Sequence, residues 1–446
     1  MDSLPINVTT VDAAPTVAIE THGCKLNTAD SQRMATALTD HGYAIADSAD
    51  APNVWVINSC TVTHVADRKA RQAIFAARRK YPEALIVAAG CYVERDPETV
   101  AALTGVDLAI PNTEKIHTVD LISERLGLKA TLCADGSPAG RGFMLLGRSR
   151  ASVKIQEGCD QVCAYCIVPT VRGRERSIPT AEIVEEVRHL ISGGAREVVL
   201  TGTQLGSYGF DLDDQNLISM ITVVLAETDI DRLRISSLQP LEITNELLDL
   251  WSGIGENRLC QHFHVPLQAG SDRVLDTMRR RYTSEEYLAS LDRIRAAIPG
   301  VSITTDVIAG FPAETDDEFQ RSVEIVTQAN YADIHIFPYS LRPGTSAAHF
   351  DGHIDPTVVA ERASQLREIG AESFAAFRQG LIGSTAKVLW ERVAPSAGLT
   401  DSYVRARMVS GQQTGRARVN LIEEVTLTGF DGQVMLAEPI MVDAKN

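Results

Sequence analysis

Three cysteines stand close together in the middle of the chain, at Cys159, Cys163 and Cys166. Their C-x3-C-x2-C spacing lets three thiolates bind three irons of a cubane iron–sulfur cluster, and no fourth cysteine follows nearby in the sequence. The fourth iron would then be open to a ligand, and the amino and carboxylate groups of S-adenosylmethionine (SAM) suit such a site. The alternatives are buried thiols or a zinc site, but structural zinc prefers four ligands in paired C-x2-C groups.

A second set of cysteines, Cys24, Cys60 and Cys91, is spread over the N-terminal region. Each cysteine closely follows a short apolar run that we predict to be a strand. The runs are Val17–Glu20, Val54–Ile57 and Leu85–Ala89. Helical stretches separate them, which predicts a doubly wound parallel sheet whose strands end at one edge. Three thiols would converge there and could bind a second cubane cluster with one open iron. The alternative is three unrelated buried cysteines.

Two further cysteines and two histidines are predicted to have no direct role. Cys133 lies in a linker and Cys260 precedes a strand, so both are expected to be structural. His22 and His64 flank the cysteine loops, and we interpret them as supporting or incidental residues.

From Ala151 onward, a strand-like run followed by a helix-like stretch occurs six times. The predicted strands are Val153–Ile155, Glu197–Leu200, Arg232–Ile235, His262–Pro266, Ile303–Ile308 and Ile334–Pro338. The predicted helices include Thr180–Ser192, Glu242–Trp251, Ser284–Ile298 and Thr315–Ala329. Six such units predict a partial (β/α)6 barrel of the TIM type, whose active site would lie at the carboxyl ends of the strands. Glycine and small polar side chains at those ends would let a ligand approach the backbone closely.

The C-terminal region, residues 382–446, has short β-like runs separated by Gly, Ser and Asp. The runs are Ala386–Trp390, Tyr403–Met408, Arg416–Leu421, Glu424–Leu427 and Val434–Leu436. They predict a small β-barrel, a fold that often binds single-stranded nucleic acid. Four arginines on these runs, at positions 405, 407, 416 and 418, could share one face. A capping or dimerising barrel is the alternative.

The chain has 446 residues, 44% of them hydrophobic, and a net charge of −16. This length and composition predict about three globular domains. The negative charge alone argues against a nucleic-acid partner, because phosphates attract Lys and Arg. Local basic clusters nevertheless occur within residues 68–80, 172–176 and 279–281. These clusters are either solvated faces or the binding surface of an anionic partner.

The sequence also predicts where the protein resides. The longest apolar runs have the length of strands, so we expect no membrane span. Residues Met1–Pro15 contain acids and no basic start, so we expect no secretory signal. A cytoplasmic protein with reduced cysteines is therefore expected.

Over nearly its full length the chain resembles the radical SAM methylthiotransferase family. The motifs that carry the resemblance are Gly23-Cys24-Lys-Leu-Asn27, Asn58-Ser-Cys60-Thr-Val62, Gly90-Cys91, Gly158-Cys159-Asp-Gln-Val-Cys163-Ala-Tyr-Cys166-Ile-Val-Pro169 and Asp306-Val-Ile-Ala-Gly-Phe-Pro312. The resemblance implies an N-terminal auxiliary-cluster domain at 15–126, a linker at 127–148, a radical SAM barrel at 149–380 and a TRAM-like β-barrel at 382–446.

The resemblance also implies two [4Fe–4S] clusters and SAM as cofactors. The cluster on Cys159, Cys163 and Cys166 would cleave SAM to a 5′-deoxyadenosyl radical, which removes hydrogen from an unactivated carbon. The auxiliary cluster, on the three N-terminal cysteines, would supply the methylated sulfur. Candidates for SAM contacts are Tyr165, Gly202, Thr203 and Asp306. No catalytic residue beyond the cluster ligands is predicted.

Members of this family act on isopentenyladenosine in tRNA, on threonylcarbamoyladenosine (t6A) in tRNA, or on an aspartate of ribosomal protein S12. Three segments are similar to the t6A branch: Cys24–Asn27, Met278–Thr283 and Phe337–Ser340. This implies adenosine 37 in the anticodon loop of tRNA as the target, where a base can be splayed out, and a flavodoxin- or ferredoxin-type protein as the reductant. A hypothesis of another class, a non-catalytic iron–sulfur electron carrier or RNA-binding sensor, requires neither the barrel nor a SAM pocket.

Overall fold

The computed structural model describes residues 14–46, 51–128, 149–393, 396–409 and 418–440. Three sheet-based parts follow one another in the predicted order, so the predicted α/β fold class with a small C-terminal barrel is confirmed. We call them the N-terminal sheet, the partial barrel and the C-terminal barrel. Most of the predicted linker, with Cys133, lies outside the described residues, and the domain limits stay predictions. Among the described residues, no helix combines the length and the apolarity needed to cross a bilayer.

The N-terminal sheet has five parallel strands in the order β2-β1-β3-β4-β5. The strands are β1 Thr16–Thr21, β2 Ala44–Ile45, β3 Val54–Ser59, β4 Leu85–Gly90 and β5 Leu108–Ile110. The helices of this part are α1 Lys25–Asp40, α2 His64–Lys80, α3 Cys91–Arg95, α4 Pro97–Ala101 and α5 Thr118–Leu126. Side chains alternate across β3: Val54 and Val56 join the apolar cluster on one face, and Trp55 and Ile57 join the cluster on the other. The sheet is therefore covered on both faces, as a doubly wound sheet requires.

The partial barrel contains the six predicted parallel strands and one short antiparallel pair. Its strands are β6 Arg150–Lys154, β7 Gln156–Glu157, β8 Arg176–Ser177, β9 Glu197–Thr201, β10 Arg232–Ile235, β11 His262–His264, β12 Ser302–Ala309 and β13 Asp333–Pro338. They form two three-stranded sheets, β6-β9-β10 and β11-β12-β13, and a parallel bridge between Leu233 and Leu259 joins the two at the centre. β7 and β8 pair next to the loop that carries Cys159, Cys163 and Cys166.

Helices surround these strands and form one continuous apolar core with them. They are α6 Val168–Arg172, α7 Thr180–Ser192, α8 Leu217–Glu227, α9 Asn245–Leu248, α10 Asp272–Thr277, α11 Ser284–Ala297, α12 Asp316–Gln328 and α13 Pro356–Gly380. The single helix predicted at Glu242–Trp251 is wrong. Ile243 has a non-helical backbone (φ −89°, ψ 81°), and Thr244 starts the new helix α9 by accepting a hydrogen bond from Leu247.

The C-terminal barrel is closed by five strands in the order β14-β15-β16-β18-β17. They are β14 Thr385–Val393, β15 Ser396–Thr400, β16 Arg405–Met408, β17 Ile422–Asp431 and β18 Val434–Pro439. Buried Val388, Trp390, Leu427 and Met435 fill its interior.

Two predictions for this barrel need correction. The run predicted as a strand at Arg416–Leu421 is wrong at residues 418–420, which form a turn, and residues 416–417 lie outside the described part. The arginine face is wrong at Arg418, which lies in that turn and pairs with Glu423 at 2.7 Å. Strand β15 was not predicted, because small residues dominate Ser396–Thr400 and give no alternating apolar pattern.

Candidate active site

The structure places Cys24, Cys60 and Cys91 at the carboxyl ends of β1, β3 and β4, which are neighbours in the N-terminal sheet. Gly23 has a left-handed backbone (φ +104°), and a Cβ atom on it would lie 2.5 Å from Cβ of Cys60. Only glycine therefore lets the first cysteine loop approach the second this closely. The three predicted loops meet at one edge of the sheet.

The electrostatics of this edge suit a cation. Burial, together with the neighbouring Cys24 and Cys91, raises the pKa of the Cys60 thiol to about 12. Cys24 is the N-cap of α1. Asn112 donates a hydrogen bond to Sγ of Cys91 at 3.4 Å. Three cysteines at one edge of the sheet fit the donor set of a cubane cluster with one open iron.

The second triplet, Cys159, Cys163 and Cys166, lies in the loop that follows β7. Burial raises the pKa of Cys159 to about 11 and that of Cys166 to about 12, and Cys163 adds to both shifts. Backbone hydrogen bonds fold the loop on itself, from the amide of Cys166 to the carbonyl of Cys163 at 3.1 Å. Arg280 donates a hydrogen bond to Sγ of Cys163 at 3.4 Å. This donor set also fits a three-cysteine cubane cluster.

The two cysteine sites adjoin each other. Cys91 packs against Ile167 and Val171 of the segment that directly follows Cys166. Arg172, the last residue of α6, is buried and donates to Oδ1 of Asn27 at 2.5 Å and to Oε1 of Glu157 at 2.6 Å.

This arginine also forms an ion pair with Asp30 of α1 at 3.1 Å. Lys115 and Lys154 each contact the same carboxylate at 2.8 Å. Although burial acts in the opposite direction, these three cations hold the pKa of Asp30 well below its usual range. The interpretation of residues 172–176 as a solvated or ligand-binding cluster is therefore wrong for Arg172, which fixes α1 against the partial barrel.

Asn27 joins the cysteine loops from the side of α1. Its amide nitrogen donates to the carbonyls of His22 at 2.7 Å and Ser59 at 3.0 Å, so one side chain binds the first loop and the second. Its oxygen accepts from Arg172. The Asn27 of the Cys24–Asn27 motif therefore positions two thiols and links them to the barrel.

A cavity of about 840 Å³ lies between the cysteine loops and the carboxyl ends of the barrel strands. Its lining includes Cys24 and Cys60 from the N-terminal sheet, Gly202 and Asp306 from the partial barrel, and Tyr403 from the loop before β16. All three parts of the chain thus contribute to one cavity, whose volume is in the range of ligand sites.

Asp306 lies on β12 between two histidines that sequence reasoning did not single out. Its Oδ1 accepts from Nε2 of His264 on β11 and from Nδ1 of His335 on β13, both at 3.0 Å. Although burial acts to raise it, these bonds hold the pKa of Asp306 well below its usual range. Ser237 bonds the other nitrogen of His264. The available signal was that His264 and His335 lie on the two predicted strands on either side of the strand that carries Asp306.

Of the predicted SAM contacts, Gly202 and Asp306 line this cavity, whereas Tyr165 does not. Tyr165 packs edge-on against Phe311, with ring centroids 6.5 Å apart, beside the barrel core. A Cβ on Gly202 would lie 2.9 Å from Cδ2 of Leu205, so this position has no room for a side chain. The hydroxyl of Thr203 is buried and has no hydrogen-bond partner among the described residues, so a bound polar ligand such as SAM could satisfy it.

A chain of polar side chains runs from the Cys163 loop into the barrel and was not predicted. Arg280 donates to Gln239 at 3.1 Å, Gln239 donates to Gln204 at 2.5 Å, and Gln204 donates to Glu242. Burial raises the pKa of Glu242 to about 7. Arg280 belongs to the basic cluster at 279–281, and its half-buried neighbourhood shows that this residue is not part of a solvated face.

Lys25 and Tyr403 also line the cavity, and sequence reasoning did not identify either of them. Nζ of Lys25 lies 5.4 Å from the centroid of the Tyr403 ring, which also stacks on His262 at 4.5 Å. Tyr403 has a left-handed backbone (φ 63°), a conformation that costs energy for a tyrosine. Burial lowers the pKa of Lys25 to about 8, and Arg234 and Arg150 contribute to the shift. The position of Lys25 directly after Cys24 was the available signal.

Comparison with known proteins identifies the parts. Residues 153–326 match the family model of the Radical SAM superfamily, and residues 16–111 match the model described as Uncharacterized protein family UPF0004. The solved structure of the radical S-adenosylmethionine methyltransferase TsrM from Kitasatospora setae, with cobalamin and a [4Fe–4S] cluster, superimposes with a TM-score of 0.53. That match has 16% identity and covers 75% of this chain and 77% of TsrM, so it supports the fold alone.

Full-length relatives are more informative. The Threonylcarbamoyladenosine tRNA methylthiotransferase MtaB of Aquifex aeolicus is 35% identical over 407 residues, covering 90% of this chain and 98% of the relative. The tRNA-2-methylthio-N(6)-dimethylallyladenosine synthase of Syntrophotalea carbinolica is 32% identical and covers 93% of each chain. The radical SAM fold implies SAM and a [4Fe–4S] cluster as cofactors. The chain belongs to the radical SAM tRNA methylthiotransferase family.

Proposed function

We propose that this protein converts t6A at position 37 of tRNA into 2-methylthio-t6A. The observation that carries the proposal is a cavity of about 840 Å³, large enough for a nucleoside, that is lined by Cys24 and Cys60 and by barrel residues such as Gly202. The third cysteine of the same site, Cys91, packs against Ile167, the residue that follows Cys166. Such chemistry needs both sites close to one base. The relatives named MtaB, at 35% and 34% identity, support t6A as the substrate.

We assign a role to each group of residues. Cys159, Cys163 and Cys166 would hold a cluster whose chemistry is one-electron reduction of SAM, and the three N-terminal cysteines would hold a second [4Fe–4S] cluster as the source of sulfur. Gly202 and Thr203, which follow the carboxyl end of β9, are the proposed SAM contacts, and the Thr203 hydroxyl is buried without a partner among the described residues. Arg172 and Asn27 keep the two cysteine sites in register.

A flavodoxin- or ferredoxin-type protein would supply the electrons, and the cytoplasm, which holds tRNA, is the proposed location. Isopentenyladenosine is the second candidate substrate, because relatives named tRNA-2-methylthio-N(6)-dimethylallyladenosine synthase reach 34% identity. Methylthiolation of ribosomal protein S12 and a non-catalytic iron–sulfur role are the further alternatives.

Mass spectrometry of tRNA nucleosides from a strain that lacks this protein tests the substrate. Loss of 2-methylthio-t6A, restored by the wild-type protein, is the expected result. Loss of the isopentenyl product instead would retain the chemistry and refute t6A. If both nucleosides persist, the tRNA proposal is wrong and S12 becomes the next candidate.

Cysteine variants test the division of labour between the two sites. Replacing Cys24, Cys60 or Cys91 with Ala should leave the formation of 5′-deoxyadenosine from SAM in place and abolish methylthiolation. Replacing Cys163 with Ala should abolish both. Methylthiolation that persists in the first three variants would refute the second cluster.

A further inference from the structure

Lys25 has an unusual environment for a lysine. It is the first residue of α1 and lines the cavity beside Cys24. Within the described residues its ammonium group forms neither an ion pair nor a hydrogen bond to a side chain. It lies over the ring of Tyr403 in a cation–π contact. A cation–π contact of this kind leaves the three N–H donors free. A half-buried ammonium without an acceptor is costly, so the site is suited to an anionic ligand.

The charges around Lys25 support an anion there. The neighbours close enough to act electrostatically are Arg234, Arg150, Glu197 and Asp306. Glu197 already binds two arginines, Arg232 at 2.8 Å and Arg234 at 2.7 Å. Asp306 already accepts hydrogen bonds from two histidines. Each nearby carboxylate thus has its own partners, and the charge of Lys25 is left without a carboxylate from the described residues.

Two histidines extend this polar end of the cavity. His335 uses Nδ1 for Asp306, and its Nε2 has no recorded partner among the described residues. Nδ1 of His262 is buried and also unpartnered in the described part of the chain. Both residues line the same cavity as Lys25. The cavity therefore offers a carboxylate the ammonium group of Lys25 and, when the ring is protonated, the Nε2–H of His335, whose pKa is raised by Asp306. Nδ1 of His262 is an acceptor when its Nε2–H donates to Thr304, and it suits a hydroxyl of the ligand.

We propose that Lys25 and His335 bind the carboxylate of the threonylcarbamoyl group and so select t6A over an adenosine with an uncharged side chain. This inference rests on the proposed function and assigns its substrate preference to particular residues. An isopentenyl group is a hydrocarbon and would leave Lys25 without an acceptor, at the cost of an unpaired cation in a half-buried site. Tyr403 positions Lys25 from the C-terminal barrel.

The test compares two anticodon stem-loop RNAs that differ only in charge. One carries t6A at position 37, and the other carries its methyl ester, which lacks the negative charge. The measurements are single-turnover methylthiolation and RNA binding by fluorescence anisotropy, for wild type, Lys25→Met and Lys25→Arg. Lys387→Met, a substitution on β14 away from the cavity, is the matched control. Iron and sulfide content checks that each variant carries its clusters.

We expect the wild type to bind and convert the acid at least about tenfold better than the ester, as for a charge-assisted hydrogen bond. Lys25→Met should lose that preference, Lys25→Arg should retain part of it, and the control should retain all of it. An unchanged preference in Lys25→Met, with t6A still the better substrate, overturns the proposed subsite and leaves the proposed function in place. A wild type that converts isopentenyladenosine RNA and not t6A RNA overturns both.

SAM also carries a carboxylate and is the other possible source of this chemistry. Formation of 5′-deoxyadenosine in the absence of RNA distinguishes the two sources. If Lys25→Met loses this reaction while its preference for the acid remains, Lys25 binds the carboxylate of SAM and the proposal is wrong. If the preference is lost and the affinity for the acid RNA falls to that for the ester in samples without SAM, the carboxylate of the RNA is the ligand.

Discussion

Glu197 lies at the start of β9 with its side chain fully buried, and Arg232 and Arg234 of the adjacent strand β10 both bind it. Although burial acts to raise it, these arginines lower the pKa of Glu197 to about 2. Removing the carboxylate would leave two buried guanidinium groups without their counterion. At the residue scale, the ionisation of Glu197 therefore links stability to pH.

We therefore expect Glu197→Gln to lower the free energy of unfolding at pH 7 by about 3 kcal/mol. Because the folded-state pKa is depressed, the stabilisation by Glu197 is present above the unfolded-state pKa and is lost as pH falls from about 4.5 toward 2. The difference between wild type and variant should shrink over that range in urea unfolding followed by circular dichroism. Glu227→Gln, which breaks the exposed pair with Arg188, should cost less than about 1 kcal/mol. Equal effects of the two substitutions would contradict this account.

At the scale of elements, α2 combines a cavity face with an exposed basic face. Val65, Ala66 and Lys69 line the cavity of about 840 Å³ described above. Arg68 lines a second cavity of about 680 Å³, together with Arg71 and Arg95. Arg71 and Arg78 are engaged, with Tyr92 and Asp107 respectively, whereas Arg68 and Lys69 are exposed. Two exposed cations beside the cavities make α2 the candidate for contacts with RNA phosphates, despite the net charge of −16.

The double variant Arg68→Glu with Lys69→Glu should weaken anticodon stem-loop binding at least about tenfold. It should also reduce the slope of log affinity against log salt concentration by about 1 to 2, since each lost phosphate contact contributes about 0.7 to 0.9. Arg125→Glu, on the exposed face of α5, is the control and should change neither quantity much. An unchanged salt slope in the double variant would exclude α2 from the RNA interface.

How much of the site the sequence could predict depends on the distance along the chain between partners. The cysteine loops were predictable because each directly follows an apolar strand, and parallel strands end at one edge. The contact of Arg172 with Asp30 was not, because it joins residues 142 positions apart. The bonds of Asp306 to His264 and His335 span 42 and 29 residues and exist only once three strands are adjacent. Local patterns predicted most of the strands, with β15 as an exception, whereas these partners become visible only in the assembled fold.

At the scale of the whole molecule, buried polar contacts join the three parts. Arg342, after β13, donates to Asp67 at 2.9 Å and to Thr61 at 2.8 Å in the N-terminal sheet. Arg234 donates to the carbonyl of Asp401 at 2.9 Å beside the C-terminal barrel, and Arg232 to that of Leu399 at 3.1 Å. Separating the parts would break these hydrogen bonds, although Arg232 and Arg234 would retain Glu197 as a partner. Since the cavity needs residues from all three parts, this coupling also holds the site together.

We expect the three parts to unfold together, and the chain has three tryptophans, one in each part: Trp55, Trp251 and Trp390. Three variants, each with two tryptophans replaced by Phe, would report thermal unfolding of one part by fluorescence under anaerobic conditions. The three midpoints should coincide within about 2 °C, as for a cooperative unit. Adding Arg342→Met should lower the midpoint at Trp55 more than those at Trp251 and Trp390, because this substitution removes the contacts to Asp67 and Thr61. If the three midpoints differ while Arg342 is intact, the parts unfold independently, and the cavity exists only while they are docked.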